Sequence, residues 1–578
     1  MRASLFVLSC VLAVVASPAR TSSQPPPRDH RPPVASPLTG DARAFGRVVD
    51  AVTRRPIRGV FVVAVPRRFG DGPLIADVRS VPNLPVATRT GEDGQFTLSE
   101  LVPGEYAMVA RRPGYVDQQL GQATPGTPGR QLVVDRGAVA GPIEFALIRS
   151  AVISGRVLEP SGAPADGVTV RAAQMRRGDG VWRLQGIQQA TTNDLGEFRL
   201  FGLPPGSYVV SVQPDRESVV PGTFAEGGTR ALVPTFAPSA TSPAEAQVVR
   251  LAAGEEAEAH IHLVEAAVAS VEGRVVDSSG AAVRGGFVGL HSRGAVRITQ
   301  DLTTPVRPDG SFAFRGIPPG AYTAVTSPQV PFGTAEERMA VLARSEYGVL
   351  DLDVESDVTG VVLKTQPGTT IRGRLVVDGD ASPLRGREVR VHATSADPAG
   401  AWNGQVRTRV LPDLTFELHG VRGAAVLRLG NAPEGWWTRA VRVGAVNTTD
   451  GHDFGMARVV ADVSIVVSTK PSGLRGRVVA PSGGGVPDAM VIGFDEDERR
   501  WGRTAIANTF MVRPIDDGSW SIDMLRPGTY RVLAVPAATA RGNDMSDPEY
   551  LRQLKPQTRT VVIAEGEVPE LVLEVQEP

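Results

Sequence analysis

From about residue 43 to the C-terminus the chain alternates. Short runs with an apolar residue at every second position are separated by clusters of Gly, Pro, Asp and Asn. Alternation puts apolar side chains on one face of an extended backbone, so each run predicts a half-buried β-strand. The runs repeat as a set. A Gly-Arg-Val or Gly-Arg-Leu tripeptide heads a strand at Gly46-Arg47-Val48, Gly155-Arg156-Val157, Gly273-Arg274-Val275, Gly373-Arg374-Leu375 and Gly476-Arg477-Val478, at intervals of 100 to 118 residues. After each comes a short turn and a second alternating strand: Val60-Phe61-Val62-Val63, Val168-Thr169-Val170, Gly286-Phe287-Val288-Gly289, Val389-Arg390-Val391 and Ala489-Met490-Val491-Ile492.

A second signature follows in each unit. A turn glycine is succeeded two residues later by an aromatic, and twelve residues after the glycine by a tyrosine: Gly94, Phe96, Tyr106; Gly196, Phe198, Tyr208; Gly310, Phe312, Tyr322; and Gly518, Trp520, Tyr530. The fourth unit keeps the spacing with other residues, Leu414, Phe416 and Val426. Asp93-Gly94, Asp309-Gly310 and Asp517-Gly518 are turn pairs, since glycine takes positive φ and Asp bonds its own backbone. Pro204-Pro205-Gly206 and Pro318-Pro319-Gly320 predict the next turn. Helical periodicity is nearly absent. Asp547 before Pro548 and Glu549 predicts one short helix through Tyr550–Leu554, with Asp as cap and Pro in the first turn.

Strands of this length with turn signals every 8–12 residues predict antiparallel β-sandwiches. The fold class expected is all-β, a tandem array of about five seven-stranded modules spanning residues 43–149, 150–266, 267–366, a degenerate 367–471, and 472–578. The chain's 578 residues fit four to five domains of ordinary size. Gly (63) and Pro (47) are abundant, yet 42% apolar content is too high for disorder.

Charge and termini narrow the setting. Lys+Arg (61) balance Asp+Glu (62), so no global basic field exists to hold nucleic acid or anionic lipid. Arg2 followed by the apolar run Ser4–Ala16, with Val14-Val15-Ala16 or Ser17-Pro18-Ala19 as cleavage site, has the pattern of a signal peptide over residues 1–19. No other stretch is long and apolar enough to span a bilayer as a helix. The sole cysteine, Cys10, lies inside this segment, where Val7-Leu8-Ser9-Cys10 resembles a lipidation site. A mature chain without thiols excludes disulfides and cysteine chemistry. Residues 20–42 are polar and Pro-rich, and read as a stiff extended linker.

The Gly-Arg-Val strand, the Asp-Gly-x-[Phe/Trp] hairpin and the Pro-Gly-x-Tyr turn together resemble the carboxypeptidase regulatory-like domain, over nearly the whole mature chain. The resemblance implies a transthyretin-like, carbohydrate-binding-like sandwich, an accessory role beside peptidases, adhesins or transport receptors, and no cofactor. The segments Pro433–Trp437, Asn447–Asp450 and Asp547–Leu551 are similar to parts of long exported multi-module proteins.

Catalytic candidates are few. His262-Leu263-Val264-Glu265 with His392 has the residue types of a zinc peptidase ligand set. But His260 and His262 alternate along the closing strand of module two, and His392 lies on the second strand of module four. No room remains for the helix-rich catalytic domain such chemistry requires. No G-x-S-x-G elbow or P-loop occurs. Asp351, Asp353, Glu355 and Asp357 share one face of a strand, and Asp495–Arg500 is a run of charges; both read as solvated surface rather than metal sites. Aromatics are scarce at 5%. Adjacent Trp436 and Trp437 point to opposite faces of a strand, so one belongs in the core; for the other, packing is the leading reading and exposure, to stack on a sugar ring or a partner, is the functional one. Trp402 and Trp501, in loops, are further contact candidates.

The sequence therefore predicts an exported, non-enzymatic scaffold or binding protein in the periplasm, on the cell surface or in the medium. Its partners would be cell-envelope protein or polysaccharide. The alternatives are a carbohydrate binder using exposed tryptophan, and an accessory part of a hydrolase or outer-membrane transport system. As a rod, five sandwiches would span a long distance and offer several strand edges.

Overall fold

The computed structural model describes residues 40–66, 86–178, 181–213, 229–294, 296–298, 302–330, 333–384, 386–396, 405–433, 435–455, 457–501 and 509–576. Residues 1–39 and 40–578 are separate units, and the described residues all belong to the second. The expected signal segment, Cys10 and the linker up to residue 39 lie outside the described residues.

The fold is all-β. Its first repeat shows how the alternating pattern is used. Ala42–Asp50, with inward positions buried and intervening ones exposed, is the centre of a three-stranded sheet. It runs antiparallel to Gln95–Leu101 and parallel to Val139–Leu147. A second sheet orders Val86–Arg89, Phe61–Pro66 and Gly104–Arg111, extended by Gln131–Val134. Phe96, Leu98 and Phe145 from the first sheet pack on Val62, Tyr106 and Met108 from the second. The same pair of sheets recurs around the central strands Ala151–Leu158, Ala269–Val276, Thr369–Asp378 and Ser472–Val479, each with its own apolar cluster between the sheets. These pairs are called sandwiches one to five below.

The two sequence signatures turn out to be one structural device. A Cβ placed on Gly46, Gly155, Gly273, Gly373 or Gly476 would lie 1.9, 1.9, 2.3, 2.3 or 2.0 Å from the carbonyl oxygen of Ile143, Ala259, Val361, Val463 or Leu571. The parallel side of the sheet therefore passes too close for any side chain. On the antiparallel side, the residue opposite each glycine is the signature aromatic: Phe96, Phe198, Phe312, Phe416 and Trp520. Its ring covers the surface the glycine leaves bare.

The turn glycine serves the same strand. Gly94, Gly196, Gly310 and Gly518 have φ between +72° and +85°, and Leu414 of the eroded unit has φ +65°. Their carbonyls accept the N–H of Val48, Val157, Val275, Val478 and Leu375, each at 2.8 Å. The tyrosine closes the turn that follows. Tyr106, Tyr208, Tyr322 and Tyr530 donate to the carbonyls four residues upstream at 2.7, 2.6, 2.8 and 3.0 Å.

Two α-helices are described. The expected one is α2 (Pro548–Leu554), capped by Asp547. The other, α1 (Ala335–Arg344), departs from the sequence expectation of a single helix. Thr334 Oγ1 accepts from Glu337 N at 3.2 Å, and Glu337 accepts from Thr334 N at 2.7 Å, a reciprocal cap.

The sandwiches do not hang freely from one another. Asp50 of sandwich one, 2% exposed, accepts from Arg149 Nε (2.7 Å) and Tyr115 Oη (3.3 Å) at the junction with sandwich two. Trp182–Leu184 of sandwich two pairs in parallel with Val296–Ile298 of sandwich three. Helix α1 of sandwich three lies on Thr415–Val421 of sandwich four, where Gly420 meets the backbone of Ala343. Asp450 of sandwich four binds Arg526 and Arg500 of sandwich five at 2.6 and 3.0 Å. Sandwich five also returns to sandwich one, through Arg130–Asp516, and to sandwich two, through Arg177–Asp547. A rod in which only sequence neighbours touch is not what forms.

Candidate functional site

A depression of about 730 Å³, open to solvent, runs over the outer face of the sheet centred on Ala151–Leu158 in sandwich two. It is made by the alternation that builds the core. Ile153, Val157, Ile261 and Leu263 point inward and are buried. The intervening Ser154, Arg156, Glu258, His260 and His262 then face outward and line the groove with Glu197 and Arg199.

Most of these groups hold each other in place. Arg156 donates to Glu197 Oε1 at 2.8 Å, and Asn193 to Glu197 Oε2 at 3.3 Å. The Arg156 guanidinium holds the Glu197 carboxyl below the usual carboxylate range. Arg199 binds Glu256, which also accepts from Ser154 Oγ at 3.4 Å. His260 Nδ1 accepts the backbone N–H of Arg156 at 3.3 Å, so its proton sits on Nε2, 3.4 Å from Glu258 Oε2. The groove thus presents donors and acceptors in a fixed arrangement. Its serine is bonded to a carboxylate rather than to a histidine, and nothing here assembles a nucleophile with its base.

The residues singled out in the sequence are placed differently from expectation. Trp436 and Trp437 are 8% and 7% exposed, and Trp501 is 3% exposed. The functional reading, that one of the adjacent pair is free, is corrected. Trp436 joins the core of sandwich four, and Trp437 turns its Nε1–H to the Lys470 carbonyl at 3.0 Å, where the chain passes into sandwich five. Trp501 packs edge-on against Phe494 (5.2 Å, 87°) and donates to the Asp495 carbonyl at 2.6 Å. Trp402 lies outside the described residues. Among the described tryptophans the one that reaches solvent is Trp182, 38% exposed, with the Arg177 guanidinium 5.8 Å from its centre. Its place near the tip of a long hairpin is the signal that could have found it.

His262 and Glu265 belong to sandwich two and His392 to sandwich four, on separate sheets. Among the described residues no three or more His, Cys, Asp or Glu are grouped to hold a metal ion. On the acidic strand, Asp351 and Asp353 pair with Arg293 at 3.3 and 2.7 Å, and Asp357 accepts from Ser270 N at 2.7 Å. The Asp495–Arg500 run is solvated only in part: Glu498 and Arg499 are exposed, whereas Asp495 is 5% exposed and bound by Arg500. The Arg499 side chain holds the Asp497 carboxyl down at about 2. Among the described residues no helix is long and apolar enough to cross a membrane.

No curated protein matches the chain. Solved structures that align with it include the Bacillus anthracis TIE protein, at 11% identity and TM-score 0.15 over 71% of this chain and 68% of that one. The minor pilin of Streptococcus agalactiae aligns at 14% identity and TM-score 0.22, over 38% of this chain and 95% of that one. The Bacillus cereus major pilin subunit BcpA aligns at 12% and 0.14, over 56% and 99%. The match that carries weight is to a sequence family. Residues 44–135 and 152–264, which contain the first two copies of the glycine, aromatic and tyrosine device, match the model of the carboxypeptidase regulatory-like domain.

Proposed function

We propose that this chain is an exported, non-enzymatic scaffold or binding protein of five carboxypeptidase regulatory-like sandwiches with the boundaries given above, and that it contacts a polar partner of the cell envelope, protein or polysaccharide. The observation that carries this is how its polar side chains are used. Asp351, Asp353, Asp495, Glu197 and Glu256 are each bound to an arginine, and His262 and His392 lie in different sandwiches, while the groove of sandwich two remains open. A hydrogen-bonding, mixed-charge groove on a rigid sheet suits recognition of a polar surface. The tryptophan-stacking form of the carbohydrate alternative loses its basis at positions 436, 437 and 501, which are buried.

The test is direct binding. The purified chain is titrated with envelope polysaccharide and with solubilised envelope protein, alongside an Arg156→Ala, His262→Ala variant. Binding that weakens at least tenfold in the variant supports the proposal. Turnover of a peptide or glycoside panel, abolished by Glu197→Gln or His262→Ala, refutes it. Fractionation of cells producing the full chain tests export, and retention in the cytoplasm refutes that part.

A further inference from the structure

Three segments remain unexplained by strands and turns: Pro433–Trp437 with Asn447–Asp450, Asp547–Leu551, and the Thr334–Glu337 cap of α1. They occupy equivalent places. Each lies between the strand that begins at or near the tyrosine position and the next strand of the four-stranded sheet. In sandwich three this connection runs from Ser327 to Val349, in sandwich four from Gly430 to His452, and in sandwich five from Pro536 to Arg559. In sandwich one it includes Gln118–Arg130.

In every one of these four the connection touches another sandwich. That of sandwich three supplies α1, which lies on sandwich four. That of sandwich four supplies Asp450, bonded to Arg526 and Arg500 of sandwich five. That of sandwich five reaches both sandwich one and sandwich two.

The last contact is the most elaborate. The connection of sandwich five has an apolar cluster of its own, in which Ala537, Ala540, Tyr550, Leu551 and Leu554 cover Ile492, Phe494 and Trp501. Ala123 of sandwich one packs on the same cluster. Thr124 Oγ1 donates to the Ala540 carbonyl at 3.3 Å. Gly542 lies so close to sandwich one that a Cβ on it would sit 2.1 Å from the Gly126 carbonyl oxygen. Ser546 Oγ donates to the Arg177 carbonyl of sandwich two at 2.7 Å, beside the Arg177–Asp547 ion pair at 3.4 Å. The receiving loop is braced by its own hydrogen bonds: Gln122 Nε2 donates to the Thr127 carbonyl at 2.8 Å, and Gln119 Oε1 accepts from Gly129 N at 2.9 Å. A loop already held in its bound shape loses little entropy on docking.

We propose that the connection after the tyrosine strand is the docking element of these sandwiches, and that residues 537–558 of sandwich five lock the two ends of the array together against the Gln118–Arg130 loop and the hairpin of sandwich two. Its partner surface is thus part of the same chain, and the array moves as one body.

The chain has a single cysteine, Cys10. With Cys10→Ser as background, spin labels go on Val133→Cys and Ile515→Cys, which are 56% and 42% exposed and flank the Arg130–Asp516 contact. A locked array gives one narrow distance distribution centred below about 35 Å, the reach of the intervening side chains and labels. A broad distribution extending well beyond about 60 Å, as for a chain of independent domains, overturns the proposal. Gly542→Leu should shift the labels to longer, broader distances while each sandwich keeps its hydrogen-exchange protection. An unchanged distribution overturns the assigned role of this connection. Arg130→Glu should broaden the distribution and Arg130→Glu with Asp516→Arg should restore it, a rescue that mere misfolding would not show.

Discussion

Gly476→Ala isolates the device on which the fold rests. The added methyl would sit 2.0 Å from the Leu571 carbonyl oxygen and 3.0 Å from Trp520 Cζ2. Ordinary carbon–oxygen contact needs more than 3 Å, so Glu570–Glu574 must move away from Ser472–Val479 by about 1 Å. Forcing one carbon into a packed site costs about 1–3 kcal/mol. Loosening the parallel hydrogen bonds between these strands adds about 1 kcal/mol for each bond weakened. The sum is about 2–4 kcal/mol, placed wholly in sandwich five. Gly483→Ala in the same sandwich is the control: its φ is +86°, but nothing lies within 4 Å of the new methyl. It carries only the left-handed backbone penalty, about 1 kcal/mol once the stiffer unfolded chain is counted. Hydrogen exchange with mass spectrometry on the whole chain reads each sandwich separately, which a single melting curve of a multidomain protein does not. Under conditions where exchange reports the opening equilibrium, peptides covering Ser472–Val479 and Glu570–Glu574 should lose protection by about thirty- to several-hundred-fold in Gly476→Ala. A loss below threefold, or one equal to that of Gly483→Ala, would refute the steric argument.

Other perturbations test separate parts. Tyr208→Phe removes the 2.6 Å bond to the Pro204 carbonyl and should destabilise sandwich two by about 1 kcal/mol, read by exchange in Gly206–Gln213. Burial pushes the Tyr208 and Tyr530 phenols up to about 12. The unfolded chain ionises them near 10 and the folded chain does not, so stability should fall as pH rises from about 10 to about 12, and less steeply in the Tyr→Phe variants. Burial alone would raise the Asp50 carboxyl, but bonds from the Thr53 N–H and Arg149 outweigh it and hold the group far below its ordinary value. That contribution is present above about pH 4 and lost as pH falls below it, and Asp50→Asn should flatten the acid limb of an exchange-versus-pH profile for sandwich one. Trp437→Ala should cost about 3–5 kcal/mol in sandwich four and leave polysaccharide binding by the folded chain unchanged. Loss of binding without loss of stability would restore a stacking role for this ring.

What the sequence made legible is what depends on the backbone. The strands, the turn glycines, the tyrosine register and the cap at Asp547 each leave a residue that few others can replace, so pattern alone finds them. Leu414 shows the limit. It stands at the glycine position with φ +65° and its carbonyl still accepts from Leu375 N, so the unit was recognisable by spacing after its chemistry had gone. The Thr334-x-x-Glu337 cap of α1 was also present in the sequence, but ten helical residues among so many strands carry little periodic signal. The tryptophans were misplaced for a different reason. Alternation assigns faces within a strand, and Trp437 is covered by the passage into the next sandwich rather than by its own sheet. No local pattern encodes that contact. The groove of sandwich two was invisible likewise, because His260 and His262 were legible as outward strand residues but Asn193, Glu197 and Arg199 reach them only through sheet pairing.

The division between repeated and unrepeated residues then says where function can change. The Gly-Arg-Val glycine recurs in all five sandwiches because a carbonyl about 2 Å from its missing Cβ leaves no choice, and substitution there destabilises a sandwich rather than altering what it binds. The connections after the tyrosine strand differ in length and content, and they carry the contacts between sandwiches. A change such as Gly542→Leu should therefore alter how the sandwiches are arranged while leaving each one folded. The groove of sandwich two is lined by residues of that sandwich and borrows none from another. Its affinity for a polar partner should survive Gly542→Leu within about threefold, as expected for sites that share no contact. If opening the array instead abolished binding at the groove, the partner would have to bridge two sandwiches, and the interface would be larger than the groove alone.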